Sequence, residues 1–156
     1  MSGIISYTAF GGKSGIIGKT PAFEYKSNAI QSNISGNAVT TVVFAEKVFD
    51  NLGNFASNTF TAPVTGVYLL SATVRCTDIP SDCVYLDMRM YFSGGQPLIQ
   101  NFMGEPHQES QQNLSCTDVV DMAANDTCYV AMYADAGSGL DIQQGAGTRF
   151  CGHLVH

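Results

Sequence analysis

The chain has 156 residues, 45% of them hydrophobic and only 13% charged, with a net charge of −6. One domain of this length buries about 70% of the surface its unfolded chain would expose. The acidic balance and the lack of a basic patch with interleaved aromatics exclude nucleic acid as an expected partner. No stretch reaches the roughly 20 continuous apolar residues of a membrane helix, so no membrane association is expected.

Charge is unevenly spread. Residues 1–26 hold Lys13, Lys19, Lys26 and Glu24, a balance of +2, which leaves −8 for the remainder. So little charge on a surface suggests that part of it is covered by partners, most often copies of the same chain. The start, MSGIISYTAFGGKSGIIGKTP, has glycines in every apolar run and no charged region before an apolar core. It does not read as a secretory signal, and folding in a cytoplasm is expected.

Residues 1–20 form a segment of their own. Ser-Gly-Ile-Ile occurs twice, as Ser2-Gly3-Ile4-Ile5 and Ser14-Gly15-Ile16-Ile17. Such a segment cannot bury itself and is either a flexible tail or an arm that orders against something else. Exposed Ile-Ile pairs are an aggregation liability, so docking through Gly3, Ile4, Ile5, Gly15, Ile16 and Ile17 is the expectation.

From Pro21 short strands take over. Residues 22–26 alternate apolar and polar, a loop covers 27–38, and residues 39–44 read as a strand. Asp50-Asn51-Leu52-Gly53-Asn54-Phe55 is a turn rich in Asn and Gly. Ala62-Pro63-Val64-Thr65-Gly66 then fixes the entry to a long β-branched and aromatic run, Val67 to Val74. Residues 83–92 alternate cleanly. Val84, Leu86, Met88, Met90 and Phe92 share one face, and Tyr85, Asp87, Arg89 and Tyr91 share the other. Asp87 and Arg89 are expected to pair as a structural couple.

Residues 93–97 are a turn, 98–102 a short strand, and 104–112 a polar loop holding a solvated His107. Strands follow at 114–122 and 127–134, joined by a hairpin turn at Ala123-Ala124-Asn125-Asp126. Residues 136–147 read as a glycine-rich loop and 148–156 as a closing strand. About nine strands and no helix with frequent turn signals specify a β-sandwich or jelly roll.

Cys76, Cys83, Cys116, Cys128 and Cys151 are expected as free buried thiols; the sharper alternative is a Cys76–Cys83 bridge around CTDIPSDC. No cysteine or histidine spacing specifies a metal site, and Cys151 and His153 share a face by ordinary alternation. Asp78, Asp82, Asp135 and Asp141 lie in loops without calcium-site spacing and are expected to be solvated. No nucleophile elbow, HExxH or P-loop is present, so neither catalysis nor a cofactor is expected.

Val42-Val43-Phe44, Phe49-Asp50-Asn51, Gly53, Phe55 and then FTAPVTGVYLLSATV resemble the globular head of complement component 1q, a superfamily that includes the tumour-necrosis-factor-like jelly rolls. The residues that match its central motif are Phe60, Pro63, Gly66 and Tyr68. The closing TRFCGHL resembles the family's Phe-Ser-Gly-Phe-Leu through Phe150 and Gly152, with Cys151 and His153 as departures. The resemblance covers residues 21–155 and implies an all-β jelly roll of about ten antiparallel strands packed as a compact homotrimer.

No collagen-like Gly-x-y stalk accompanies it. The first twenty residues resemble instead the glycine- and isoleucine-rich leaders of bacteriophage virion proteins. Together these imply a trimeric capsid decoration protein or a head or tail fibre knob on the virion surface, assembled in the host cytoplasm. Residues 1–20 would anchor it to the major capsid protein or another virion protein. The alternative is a host-attachment module whose loops at residues 27–38, 76–83, 104–110 and 135–147 bind a surface glycan or protein.

Overall fold

The computed structural model describes residues 19–93, 99–104, 111–137 and 139–156. The isoleucine pairs of the leader, the 94–97 turn and His107 lie outside these residues. Among the described residues there are thirteen strands and no helix. They are β1 (Ala22–Ser27), β2 (Gln31–Ile34), β3 (Thr40–Thr41), β4 (Glu46–Asp50), β5 (Phe55–Ala56) and β6 (Thr59–Thr61). Then come β7 (Gly66–Thr77), β8 (Tyr85–Phe92), β9 (Ile99–Gly104), β10 (Gln111–Met122), β11 (Thr127–Asp135), β12 (Leu140–Ile142) and β13 (Gly145–Leu154).

Two antiparallel sheets face each other. Sheet A runs β2-β12-β7-β13-β1-β4, with β10 also paired to β7. Sheet B runs β5-β6-β11-β8-β9, with β3 paired to β11. The long β7 run is therefore a hub, hydrogen-bonded to β10, β12 and β13. Along β7, Tyr68, Leu70, Ala72, Val74 and Cys76 are buried, while Leu69, Ser71, Thr73 and Arg75 face outward. The period of two settles which face meets the core.

The core is aromatic at one end. Phe23 stacks on Phe60 at 4.6 Å and on Phe55 at 5.4 Å, and meets Phe150 edge-on at 5.1 Å. Phe60 in turn contacts the Tyr68 ring at 5.5 Å, and the Tyr68 hydroxyl donates to the Val64 carbonyl at 2.8 Å. That bond ties the Pro63 turn to the strand it introduces. Gly152 packs beneath Phe23; a Cβ there would meet Leu70 Cδ2 at 2.4 Å and Phe23 Cε1 at 2.9 Å. Phe60, Pro63, Gly66, Tyr68, Phe150 and Gly152 thus lie around one aromatic nucleus and the turn that closes it.

The strand count exceeds the expected nine or ten because several strands are only two to four residues long. The expected 39–44 strand is reduced to Thr40–Thr41, although Val42 still donates to the Val130 carbonyl at 3.0 Å. The loops at 27–38 and 136–147 each contain a short strand, β2 and β12, and these pair with each other. Asp141 helps to hold that pairing, since one carboxylate oxygen accepts the Asn33 N–H at 2.8 Å. Asp82 likewise accepts the Gly137 N–H at 2.9 Å. These two carboxylates, Asp82 exposed as expected and Asp141 half-buried, also serve as loop clamps.

The Asp50–Phe55 turn is organised by Asp50. Its carboxylate accepts the N–H groups of Leu52, Gly53, Asn54 and Phe55 at 2.8 to 3.3 Å. Gly53 sits at φ +70, a left-handed conformation that glycine adopts without strain. The hairpin at residues 123–126 uses Asn125 at φ 74, with Asp126 accepting the Ala123 N–H at 2.8 Å.

Candidate functional site

The sandwich presents two outward faces of different chemistry. On sheet A the face is built in cross-strand rows. His153, Leu69 and Val119 form one row, Cys151, Ser71 and Thr117 the next, and Arg149, Thr73 and Ser115 a third. The hydroxyls of Ser71 and Thr117 bond at 2.7 Å, and those of Thr73 and Ser115 at 3.1 Å. Arg75 at the far end donates to Gln111. Between β7 and β10 these rows are uncharged, with hydroxyl pairs and the apolar pair Leu69 and Val119, while Arg149 on β13 and Glu24 on β1 flank them. Val119 is 56% exposed.

On sheet B the outward face is aromatic. Tyr91 stacks on Tyr129 at 5.1 Å and Tyr85 on Tyr133 at 5.7 Å. Between the two stacks the Arg89 guanidinium lies 5.3 Å from the Tyr133 ring centre and pairs with Asp87. The pairing expected from the sequence is present, and Asp87 is only 1% exposed. A hydrogen bond to the Asp87 carboxylate, with a weaker one to the Tyr91 hydroxyl, raises the Arg89 pKa further. The Tyr133 hydroxyl reaches Asn37 Oδ1 at 3.4 Å. The Tyr129 and Tyr133 contribution was hidden from the sequence, because it depends on the register between β8 and β11.

The five cysteines are free thiols. Burial pushes Cys76 and Cys116 up to about 12 and also raises Cys83, Cys128 and Cys151. Thiols held neutral in this way are poor nucleophiles and poor metal ligands. Among the described residues no group of three or more His, Cys, Asp or Glu side chains is placed to hold a metal ion. No helix among them is long and apolar enough to cross a membrane.

The C1q domain family model matches residues 22–155. The globular domain of zebrafish complement 1qA superposes with a TM-score of 0.61 at 20% identity, covering 88% of this chain and 98% of that one. Murine APRIL at pH 8.0 superposes with a TM-score of 0.67 at 16% identity, covering 88% and 100%. The same protein at pH 5.0 gives 0.67 at 17% identity, again covering 88% and 100%. Comparison with curated protein sequences finds no significant match. C1q and TNF-like domains self-associate as trimers and are known as non-enzymatic modules. The Phe60-to-Tyr68 motif, the two-sheet jelly roll and the family match over residues 22–155 lead to one conclusion: the chain belongs to the C1q domain family.

Proposed function

We propose that this chain is a trimeric, non-catalytic head protein on the surface of a virus particle, joined to the particle by residues 1–20. The assembly part is carried by the outward face of sheet A. A band of paired hydroxyls on β7 and β10 beside half-buried Leu69 and exposed Val119 suits burial against a second copy, as the family's trimers require. The particle part is carried by the doubled Ser-Gly-Ile-Ile of the leader, which offers apolar side chains to another virion protein such as the major capsid protein. Capsids and fibres offer three-fold positions for such a protein. The chain then works by binding, either as a capsid decoration or as a head or tail fibre knob.

Deleting residues 2–19 tests this reading. The shortened chain is expected to stay trimeric by light scattering but to be missing from purified particles. Incorporation at the normal level would rule out the leader as anchor, and a monomeric full-length chain would rule out the trimer.

A second reading, host attachment to a surface glycan or protein, is favoured by the tyrosine face of sheet B. Tyrosine and arginine are enriched among the residues that dominate binding energies, and here they are rigidly stacked. Host-cell adsorption by particles with and without the protein separates the readings. Unchanged adsorption with reduced particle stability favours decoration.

A further inference from the structure

The outward face of sheet A differs between its two edges. β10 and β13 both pair with β7 along Tyr68 to Thr73, so they flank it on opposite sides and the strand order is β10-β7-β13-β1-β4. At about 4.8 Å between neighbours, these strands span about 19 Å. At the β10 edge Val119 protrudes, 56% exposed, with Thr117 and Asp121 on either side of it on the same face. Towards the other edge the face is recessed. A groove of about 280 Å³ spans β7, β13, β1 and β4, and its walls include Leu69, His153, Cys151, Ala22, Glu24 and Phe49.

Leu69, Ala22 and Phe49 give the groove an apolar lining, and Phe49 is left 42% exposed. An apolar cavity of about 150 Å³ already admits a benzene ring, and a valine side chain is smaller than that. The protrusion does not fill the recess of its own protomer, because Val119 points to solvent from the edge strand. Both apolar surfaces gain by being covered. They lie on the face that the trimer reading buries against a second copy, so the occupant of the groove is a second copy.

We infer that Val119 of one copy seats in the groove of the next. The contact joins unlike patches, protrusion to recess, and is therefore heterologous. Repeated about a three-fold axis, such a contact closes into a ring in which each copy gives one valine and receives one. This rests on the trimer reading given above and adds to it which residue enters which site.

Cys151 in the groove wall makes the contact readable. Val119→Cys keeps a small apolar side chain at the protrusion. Under mild oxidation by copper phenanthroline, its thiol and that of Cys151 on the next copy give up two protons and two electrons to dioxygen as the S–S bond forms. The expected product on a non-reducing denaturing gel is a covalently closed trimer, and Val119→Cys/Cys151→Ser is expected to give none. Absence of any bridge overturns the inference. So does a dimer that persists without Cys151, since the two introduced thiols would then face each other. Bridging that stops at two copies means exchange about a two-fold axis and overturns it as well. A second measurement uses no oxidant. In Val119→Ala, Cys151 is expected to react with dithiobis(nitrobenzoate) about tenfold faster than in the parent, as loss of a local protecting contact requires. Equal rates overturn the seating. Light scattering gives the mass of each protein. A monomeric parent overturns the trimer reading along with this contact, whereas a trimeric parent with the wrong bridges overturns the contact alone.

Discussion

Sheets A and B both turn an alternating strand face outward, yet they use it differently. On sheet B the side chains mostly contact one another, although Arg89 Nε lacks a hydrogen-bond partner among the described residues. Two tyrosine stacks enclose the Arg89–Asp87 pair, and Asp87 is almost wholly covered within a single protomer. On sheet A the polar groups pair across strands as Ser71–Thr117 and Thr73–Ser115, but Val119 and Phe49 are left to solvent. A face whose side chains mostly contact one another loses little by standing alone. It also loses little entropy when something docks on it. A face with leftover apolar surface gains by being covered. On the proposed function, the contrast favours sheet A for assembly and sheet B for outward display.

The largest expected effect attacks the sheet B pair. Arg89→Ala takes the guanidinium from a buried carboxylate and is expected to cost about 3 kcal/mol in urea unfolding. Asp87→Leu/Arg89→Met removes both charges and is expected to recover most of that loss. A single variant as stable as the parent would mean that the pair does not hold this face. Gly152→Val is expected to cost a similar amount, about 3 kcal/mol, because its side chain would collide with Leu70 and Phe23.

Val119→Glu tests the other face. It is expected to convert the trimer to a folded monomer, with an unchanged circular dichroism spectrum and a lower mass by light scattering. A trimer that survives this change places the contact elsewhere. Tyr129→Ala, by contrast, is expected to leave the oligomeric state alone and to lose about 1 kcal/mol of ring stacking.

The last effect is confined to high pH and is absent at neutral pH. Cys76 and Cys116 ordinarily titrate near 9.0 but are raised to about 12 by burial. The unfolded chain releases these protons first, so their contribution is complete below pH 9 and falls between pH 9 and about 12. Replacing both by Ala should flatten the stability profile in that window. An unchanged slope would assign it to other groups.

The sequence made the long strands legible because alternation over eight or more residues is a local signal. The two faces of β8 and the turn into β7 read directly from their residues. The short strands β2 and β12 did not, because they exist only through their partners, and β3 is shorter than its expected 39–44 run. Asp141, four residues after Gly137, gives no local hint that it accepts the Asn33 N–H. The tyrosine face was half legible. Tyr85 and Tyr91 follow from alternation, but their partners Tyr133 and Tyr129 are fixed by register between β8 and β11.

The hub position of β7 has a consequence for synthesis. Its partners β10, β12 and β13 all come later in the chain, and β1 pairs with the last strand, β13. On a ribosome sheet A therefore cannot close until nearly the whole chain has emerged, and such distant pairings fold slowly. β10 covers one edge of the β7 run first, but the other edge stays open and aggregation-prone until β12 and β13 emerge, so β13 acts as the latch that ends its exposure.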